Sequence, residues 1–339
     1  MVEGLVMNSF LLFFVGLVSI SQLGAEELSR FKLMTFNILQ GGGNAKNVGF
    51  GNELFGGSRI DEIASAIKLA RADIVGIQED CSSKSNMLLN ELGDGWNRAG
   101  KVYSKFPAQL IHSNKDRSLE VVDVELAGSR VVRIVNCHWW PNNYGPFLAQ
   151  EKLRADPQVD LNSLAKIVQE KGVRRGGTRG YTATLEPLEE AIDEKRAIFL
   201  VGDFNEPSHL DWTENYARNG SDRWVNNPTG TPLRFLVRWP GSVLLENIGM
   251  VDSFRQFHTD EVKKPGNTWT PPYPERTQGR RPYGDQVLDR IDRIYHHGEN
   301  VKVVSGQVVG EKGDTSDIVI QGRWPSDHRA VVIEYKWKN

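Results

Sequence analysis

The strongest chemical signal in the chain is a pair of polar residues, Asp203 and Asn205, directly after a run of apolar residues. Residues two apart on an extended chain point the same way, so both side chains project from the end of a predicted strand, where open α/β sheets bind ligands. A carboxylate beside an amide can hold and orient a water molecule. An Asx-rich turn that closes a strand gives the same pattern, so the pair alone leaves a structural role open.

A second candidate pair lies near the C-terminus, where His328 follows Asp327 just before an apolar, strand-like run. A histidine can act as acid, base or phosphate partner, and an aspartate bonded to its second ring nitrogen fixes its tautomer and orientation. Asp292, in the strand-like residues 290–295, is the candidate for that aspartate. Taken alone, the two residues could equally form a structural hydrogen bond.

Three more polar residues, Asn37, Glu79 and His138, each stand at the end of a strand-like run. A carboxylate next to a neutral amide offers hard oxygen ligands, which suit Mg²⁺ or Mn²⁺. Zinc is less favoured, because the chain has 7 histidines and no His/Cys spacing of the zinc type. Each residue alone is an ordinary turn or core residue, and only their common position at strand ends makes them a candidate site.

The elements that would position these residues alternate between strands and helices. Apolar residues recur at helical spacing over residues 60–71. Strand-like patterns cover residues 31–36, 73–78, 119–126, 130–136, 197–201, 290–295, 301–309 and 330–335. The chain has no internal repeat, and this order predicts an α/β or α+β protein with mixed sheets in one catalytic domain.

Two long stretches, residues 139–181 and 205–241, look like insertions over that scaffold. Long loops in a compact domain often carry function, so we expect substrate choice to lie there. Trp139 and Trp140 follow His138 directly and could either stack on a substrate or anchor a loop.

Five residues are candidates for contacts with substrate. Arg174, Arg175 and Arg179 lie in one Gly-rich basic run, which we expect to contact a second phosphate or an anionic headgroup. A solvated turn is the competing interpretation of that run. His209 and Trp269 are candidates to line the pocket, with loop packing as the alternative for both.

Composition limits the class of protein. The chain has 339 residues, of which 39% are hydrophobic and 25% charged, so it can form a sizeable globular core. Its formal net charge of −2 provides no global attraction to a polyanion, which weighs against long DNA as a substrate.

The N-terminal segment resembles an export signal. The apolar residues 10–20 are too few to span a bilayer comfortably, and small and polar residues follow them up to Ala25. We therefore predict a signal peptide over residues 1–25 and a catalytic domain over residues 26–339, without a transmembrane segment in the mature chain. The expected location is secreted or periplasmic, and an uncleaved N-terminal anchor is the alternative.

Taken together, the candidate residues resemble the endonuclease/exonuclease/phosphatase superfamily, which has the DNase I-like fold, in an exported bacterial-type member. The matching segments, in the order of that family, are Thr35-Phe-Asn37, Gln78-Glu79, Cys137-His138, Gly202-Asp-Phe-Asn205, Arg290-Ile-Asp292 and Ser326-Asp-His328. The resemblance implies a four-layer αββα sandwich, in which two mixed β-sheets are flanked by helices and the active site lies at one edge of the sheets.

The resemblance also implies a role for each residue. Glu79, with Asn37 and Asp327, would hold Mg²⁺ or Mn²⁺ against a phosphate oxygen. Asp203 and Asn205 would position and activate the attacking water. His328, oriented by Asp292, and His138 would donate hydrogen bonds to the phosphate and assist the leaving oxygen.

Three functions remain open on these grounds, since a fold does not select a substrate. The first is a secreted phosphodiesterase or phosphatase that acts on a small or lipid-derived ester, which the near-neutral charge and the Trp-rich insertions favour. The second is an extracellular Mg²⁺-dependent nuclease, which the basic run favours. The third, a non-catalytic binding module, is disfavoured because no residue of the motifs is missing. No obligate protein partner is indicated.

Overall fold

The computed structural model describes residues 30–45, 55–81, 84–115, 118–175, 180–271 and 286–337. The predicted signal peptide and Arg179 lie outside these ranges. Within them, no helix combines the length and the apolar character that crossing a membrane requires.

Thirteen strands are found in the described residues. They are β1 (Arg30–Asn37), β2 (Ile74–Gln78), β3 (Asn97–Ala99), β4 (Val102–Ser104), β5 (Ala108–Asn114), β6 (Leu119–Leu126), β7 (Arg130–His138), β8 (Ile198–Asp203), β9 (Val251–Asp252), β10 (Asp292–His297), β11 (Val301–Gly310), β12 (Ile318–Val319) and β13 (Ala330–Trp337). They form a seven-stranded sheet in the order β12-β11-β13-β1-β2-β4-β3 and a six-stranded sheet in the order β5-β6-β7-β8-β10-β9. Both sheets mix parallel and antiparallel pairs, as predicted.

The helices of the described residues surround this pair of sheets. They are α1 (Ile60–Leu69), α2 (Ser85–Leu92), α3 (Gly145–Ala155), α4 (Leu161–Arg175), α5 (Thr182–Asp193), α6 (Glu214–Asn219), α7 (Pro240–Asn247) and α8 (Ser253–Phe257), with a short 3₁₀ turn at Gln40–Gly42. Apolar residues of α1 and α2 pack on the outer face of the seven-stranded sheet. Those of α5 and α7 pack on the outer face of the six-stranded sheet. The predicted αββα sandwich is therefore confirmed.

Alternation along β1 shows how the sequence builds these layers. Phe31 and Leu33 face the other sheet and belong to the core between the sheets, whereas Met34 and Phe36 face the helices. Residues at odd and even positions of a strand point to opposite faces, so a strand buried on both sides is apolar throughout. The ring of Phe31 lies 5.3 Å from that of Phe199 in the facing sheet. Full burial of each such side chain contributes roughly 1.5–3 kcal/mol.

The topology brings the predicted site residues to one edge. β1 and β2 are parallel, as are β7 and β8, so their C-terminal ends lie side by side, with His138 opposite Asp203 in the register. β10 runs antiparallel to β8, which places its first residue, Asp292, opposite Asp203. β13 runs antiparallel to β1, so the residues just before β13 reach the end of β1.

Two parts of the fold differ from the expectation. Residues 97–114 form three strands that the sequence pattern did not predict. The stretch 205–241, expected to carry substrate contacts, instead buries its three tryptophans, Trp212, Trp224 and Trp239, in an apolar cluster with α3 and α4.

Candidate active site

Asp203 lies at the centre of the site and is buried. Its Oδ2 atom accepts a hydrogen bond from Asn37 Nδ2 at 3.0 Å and faces Nε2 of His138 at 3.4 Å and Nε2 of His328 at 3.7 Å. Its Oδ1 atom accepts the backbone N–H of Asn205 at 2.9 Å. Burial alone would raise the pKa of Asp203, but His328 and His138 outweigh it and lower the pKa to about 2. Asp203 is therefore ionised at neutral pH.

His328 is held from behind by Asp292. Its Nδ1 atom lies 2.9 Å from Asp292 Oδ2, and both residues are buried. Thr268 Oγ1 accepts the backbone N–H of Asp292 at 3.0 Å, which fixes the start of β10. Burial opposes protonation of the imidazole, yet Asp292, Asp203 and Asp327 outweigh it and raise the pKa of His328 well above its ordinary value.

His138 and Asn205 complete the side of the site formed by the six-stranded sheet. Burial lowers the pKa of His138, but the hydrogen bond and charge of Asp203 outweigh it, so the net shift is upward. Asn205 has a left-handed φ of 46°, and its Nδ2 donates to the carbonyl oxygen of Trp139 at 3.0 Å. Through this contact the Asn205 amide points towards the backbone of Trp139, the residue that follows His138.

Glu79 stands directly after β2 and is half-buried. Its Oε1 atom accepts Asn37 Nδ2 at 3.2 Å, and its Oε2 atom accepts the backbone N–H of Gln40 at 2.8 Å. Its left-handed φ of 59° turns the chain sharply at the edge of the sheet. Asn37 thus donates to both Glu79 and Asp203, while its own Oδ1 accepts the N–H of Leu39 at 3.1 Å. In this arrangement Asn37 orients the two carboxylates.

Asp327 is a buried carboxylate whose Oδ1 atom accepts no hydrogen bond. Burial raises its pKa to about 6; His328 partly offsets the effect, and Glu79 and Asp203 add to it. Nε2 of His328 lies 3.9 Å from this oxygen, beyond hydrogen-bond distance, so a cation beside the oxygen would stabilise the carboxylate further. This donor set fits a divalent cation, and hard oxygen ligands of this kind suit Mg²⁺ or Mn²⁺.

A second group with metal-binding geometry lies beside the first. One ligand atom each from Asp203, Asp292 and His328 lie within 4.8 Å of one another. That group includes an imidazole nitrogen, whereas Glu79 and Asp327 offer only oxygen ligands, which hard cations such as Mg²⁺ prefer. The oxygen-rich side at Glu79 and Asp327 is therefore the better metal site.

Arg59 is a site residue that the sequence motifs do not include. It is fully buried, and its guanidinium donates to the carbonyl oxygens of Gly43 at 3.0 Å and Ile38 at 3.2 Å, and also to those of Leu39 and Pro325. Burial lowers its pKa to about 10. Arg59 thus ties the loop after Asn37 to the loop before Asp327.

Asp203 and several polar side chains next to it line a cavity of about 810 Å³. The lining residues are Leu39, Gln40, Glu79, Asp80, Cys81, His138, Pro141, Asn142, Asn143, Tyr144, Phe147, Leu148, Glu151, Lys171, Asp203, Asn205, Trp269, Ile291, Asp327 and His328. Ligand pockets that enclose an organic molecule have volumes of about 300–1,000 Å³. The cavity can therefore take a substrate much larger than a phosphate group.

Trp269 and His209 were both predicted to contact substrate, but only one of them lies at the cavity. Trp269 lines the cavity, whereas His209 does not. Both ring nitrogens of His209 have partners on α7, with Nδ1 at 2.8 Å from Ser242 Oγ and Nε2 at 3.1 Å from Glu246. His209 therefore packs on α7 outside the cavity, which is the loop-packing alternative for this residue.

The basic run is only partly described. Arg174 and Arg175 lie in the last turn of α4, where the side chains are not described, and Arg179 lies outside the described residues. Lys171, one turn earlier in α4, lines the cavity. Among the lining residues that the structure describes, it is the only Lys or Arg.

Trp139, for which the sequence left two roles open, is buried. Its Nε1 donates to Thr184 Oγ1 at 2.9 Å, and its ring packs edge-on against those of Tyr181 and Phe204. Trp139 thus anchors the start of the insertion to α5 rather than contacting substrate.

A known protein family matches most of the chain. The family model described as "Endonuclease/Exonuclease/phosphatase family" matches residues 34–328. A protein of Caenorhabditis elegans named "Uncharacterized protein F14F9.5" is 28% identical over 326 residues, which cover 90% of each chain.

Two solved structures are similar to the chain at low sequence identity. An endonuclease/exonuclease/phosphatase from Beutenbergia cavernae is 16% identical, with a TM-score of 0.49, over 92% of this chain and 72% of that one. Truncated TDP2 from C. elegans is 17% identical, with a TM-score of 0.47, over 92% of this chain and 100% of that one.

The family model covers the segments from β1 to His328, and thus the whole set of residues that surround Asp203. The chain belongs to the Endonuclease/Exonuclease/phosphatase family and is a metal-dependent hydrolase of phosphoric esters.

Proposed function

We propose that the protein is an exported, Mg²⁺-dependent phosphodiesterase that acts on small or lipid-derived phosphate esters. The observation that carries the proposal is the arrangement around Asp203. Its Oδ2 atom faces His138 at 3.4 Å and His328 at 3.7 Å and accepts from Asn37 at 3.0 Å. Hydrolysis of an anionic ester requires a positioned nucleophile, neutralisation of charge and help for the leaving group, and these side chains offer all three.

Asp203 is suited to orient the attacking water. A carboxylate with a pKa of about 2 is a weak proton acceptor, so its contribution is mainly to fix the water by a hydrogen bond. Asn205, directed by its bond to Trp139, provides a second polar group beside it.

His138 and His328 are suited to bind the phosphate. The pKa values of both are raised, so both favour the protonated form, which donates hydrogen bonds to phosphate oxygens and offsets their charge. Asp292 keeps the imidazole of His328 in place during this step.

Glu79 and Asp327 would hold the cation, and Asn37 would orient Glu79. When bound there, the cation neutralises charge on the phosphate oxygens and polarises the phosphorus. The choice of Mg²⁺ rests on the oxygen-only donor set of these two carboxylates.

A nuclease is the second candidate. It is favoured by Lys171, which lines the cavity and lies on the helix that ends in Arg174 and Arg175. A helix that carries several basic residues could contact a phosphate backbone. The net charge of −2 favours the small ester instead.

The test is hydrolysis of bis-p-nitrophenyl phosphate with Mg²⁺ and after removal of metal by EDTA. We expect turnover that depends on Mg²⁺ and that Asp203→Ala and His328→Ala abolish. Retained activity in either variant would refute the site. Plasmid DNA, sphingomyelin and phosphoinositides assayed in parallel separate the two candidates, because cleavage of DNA alone would favour the nuclease.

The proposed export rests on the apolar residues 10–20 and the small residues up to Ala25. Expression of the full chain in an exporting host should yield a mature protein that begins at Glu26, which N-terminal sequencing detects. An intact N-terminus in the cell fraction would contradict export.

A further inference from the structure

One side of the cavity is aromatic. We name it the aromatic wall, and it consists of Tyr144, Phe147 and Trp269. The ring centroids are 5.2 Å apart for Tyr144 and Phe147, 5.5 Å for Tyr144 and Trp269, and 5.7 Å for Phe147 and Trp269. All three pairs meet edge to face, which is a favoured arrangement for packed aromatic rings.

The aromatic wall is fixed from behind by Asp289. The hydroxyl of Tyr144 donates to Asp289 Oδ2 at 2.7 Å, and Trp269 exchanges backbone hydrogen bonds with Asp289 at 2.8 and 2.9 Å. Asp289 is itself buried and accepts Trp212 Nε1 at 2.9 Å. Tyr144 and Trp269 are thus held in place before any ligand arrives, which lowers the entropy cost of binding.

The wall is adjacent to the reacting groups. The ring of Trp269 lies 6.4 Å from that of His328, and the neighbouring Thr268 hydroxyl accepts the backbone N–H of Asp292. A phosphate placed at His328 would therefore have Trp269 within reach of one of its ester substituents.

Phe147 is the member of the wall that is most open to the cavity. Tyr144 and Trp269 are buried, with 6% and 9% of their surfaces exposed, whereas Phe147 is half-buried. Phe147 lies in the first turn of α3, inside the insertion that begins after His138. A ligand ring that enters the cavity would meet Phe147 with the least rearrangement of the core.

We infer that the aromatic wall is a specificity subsite for a planar ring on one ester substituent of the substrate, either a phenyl group or a nucleobase. The inference rests on the proposed function, because it names the class of phosphodiester for the same site. Packing of a flat ring on fixed aromatic side chains is favourable for any ring with a π face. A flexible alkyl chain gains less here, because it must be ordered against the wall.

The test measures binding, so it does not require turnover. Calorimetry in the presence of Mg²⁺ compares four ligands with one phosphate-like group: methylphosphonate, octylphosphonate, benzylphosphonate and thymidine 5′-monophosphate. We expect the two ring-bearing ligands to bind about tenfold more tightly than methylphosphonate. The tighter of the two identifies the ring as phenyl or nucleobase.

Three variants show whether the wall causes this preference. Phe147→Ala should remove the tenfold advantage, and Phe147→Leu, which keeps an apolar side chain without a ring, should retain at most part of it. Phe257→Ala is the matched control, because Phe257 is an exposed phenylalanine on α8 that does not line the cavity. It should leave all four affinities unchanged.

Equal binding of methylphosphonate and the ring-bearing ligands would overturn the inference, as would tightest binding of octylphosphonate. A preference that survives in Phe147→Ala, or that is complete in Phe147→Leu, would do the same. Failure of the proposed function has a different signature, namely no Mg²⁺-dependent turnover of bis-p-nitrophenyl phosphate by the unmodified protein.

Discussion

The Nδ1 atom of His328 lies 2.9 Å from Oδ2 of Asp292, and the opposite ring nitrogen faces Asp203 at 3.7 Å. The imidazole therefore lies between Asp292, which sets its orientation, and Asp203, which is at the centre of the site. Asp292 fixes the orientation of the imidazole and favours its protonated form, so it acts on catalysis through His328.

Asp292→Asn should lower kcat by roughly 10²–10⁴-fold with little change in KM, because the imidazole loses its orienting charge while the phosphate contacts remain. Steady-state kinetics on bis-p-nitrophenyl phosphate measure this. In a His328→Gln background the same replacement should have almost no further effect, since both residues act as one unit. Additive losses would show that Asp292 acts independently of His328.

Glu79→Gln should raise the Mg²⁺ concentration for half-maximal activity at least about tenfold, because it removes a charged oxygen from the proposed metal site. Titration of activity with Mg²⁺ and calorimetry with Mn²⁺ in the absence of substrate give two readouts. The matched control is Glu151→Gln, because Glu151 is an exposed glutamate on α3 that lines the same cavity. If the Mg²⁺ concentration for half-maximal activity rose equally in both variants, the effect would come from the loss of negative charge in the cavity and not from the loss of a metal ligand.

Arg59→Lys should destabilise the protein and lower its activity. A lysine keeps the charge but cannot reach the carbonyl oxygens of Gly43, Leu39 and Pro325 together. The free energy of unfolding should fall by roughly 2–4 kcal/mol, since buried acceptors lose their donors. Urea unfolding measures this, and Arg196→Lys, at a partly exposed ion pair with Asp123, should change the free energy by under about 1 kcal/mol. Equal effects of the two variants would contradict the role of Arg59.

Asp211 should make stability depend on pH. It is buried and pairs with Arg255 at 2.6 Å and Arg290 at 3.0 Å. Burial would raise the pKa of Asp211, but Arg255, Arg290 and Arg223 lower it to about 2, below the unfolded value of about 3.9. The stabilisation, on the order of 2–3 kcal/mol, is thus complete above pH about 5 and lost as the pH falls towards 2.

Urea unfolding of the unmodified protein and Asp211→Asn from pH 7 to pH 2.5 tests this dependence. The variant should be less stable by roughly 3–5 kcal/mol at pH 7, because it leaves buried arginines without their charge partner. The difference between the two proteins should shrink as the pH falls below 4. A difference that is constant over the whole range would contradict the role assigned to the Asp211 carboxylate.

The residues around Asp203 were predictable because each follows or precedes a run of apolar residues. Such runs define buried strands, and polar side chains at their ends have few roles other than turns and sites. The bounds of β1, β6 and β11 differ from the sequence pattern by only one residue or not at all. The exposed strand β5 was missed because its polar and apolar residues do not separate onto two faces.

The positions and partners of Arg59 and His209 could not be predicted from the sequence. Arg59 stands just before a helix, where an arginine is ordinarily solvated, and its partners are backbone carbonyls that have no sequence signature. His209 is close to Asn205 in sequence, but the left-handed turn at Asn205 leads the chain to α7. The aromatic wall combines residues more than a hundred positions apart, and only the tertiary fold brings them together.

The hydrogen bond from Asn37 to Asp203 joins two different sheets, since Asn37 ends β1 and Asp203 ends β8. Close behind it, β2 has a glycine, Gly76, at which a Cβ atom would collide with Val201 of the facing sheet. Alignment of the reacting groups therefore depends on the offset between two packed layers. A small shift of one sheet over the other would abolish turnover without changing the secondary structure. Heating should therefore abolish turnover at a lower temperature than the one at which the strands unfold.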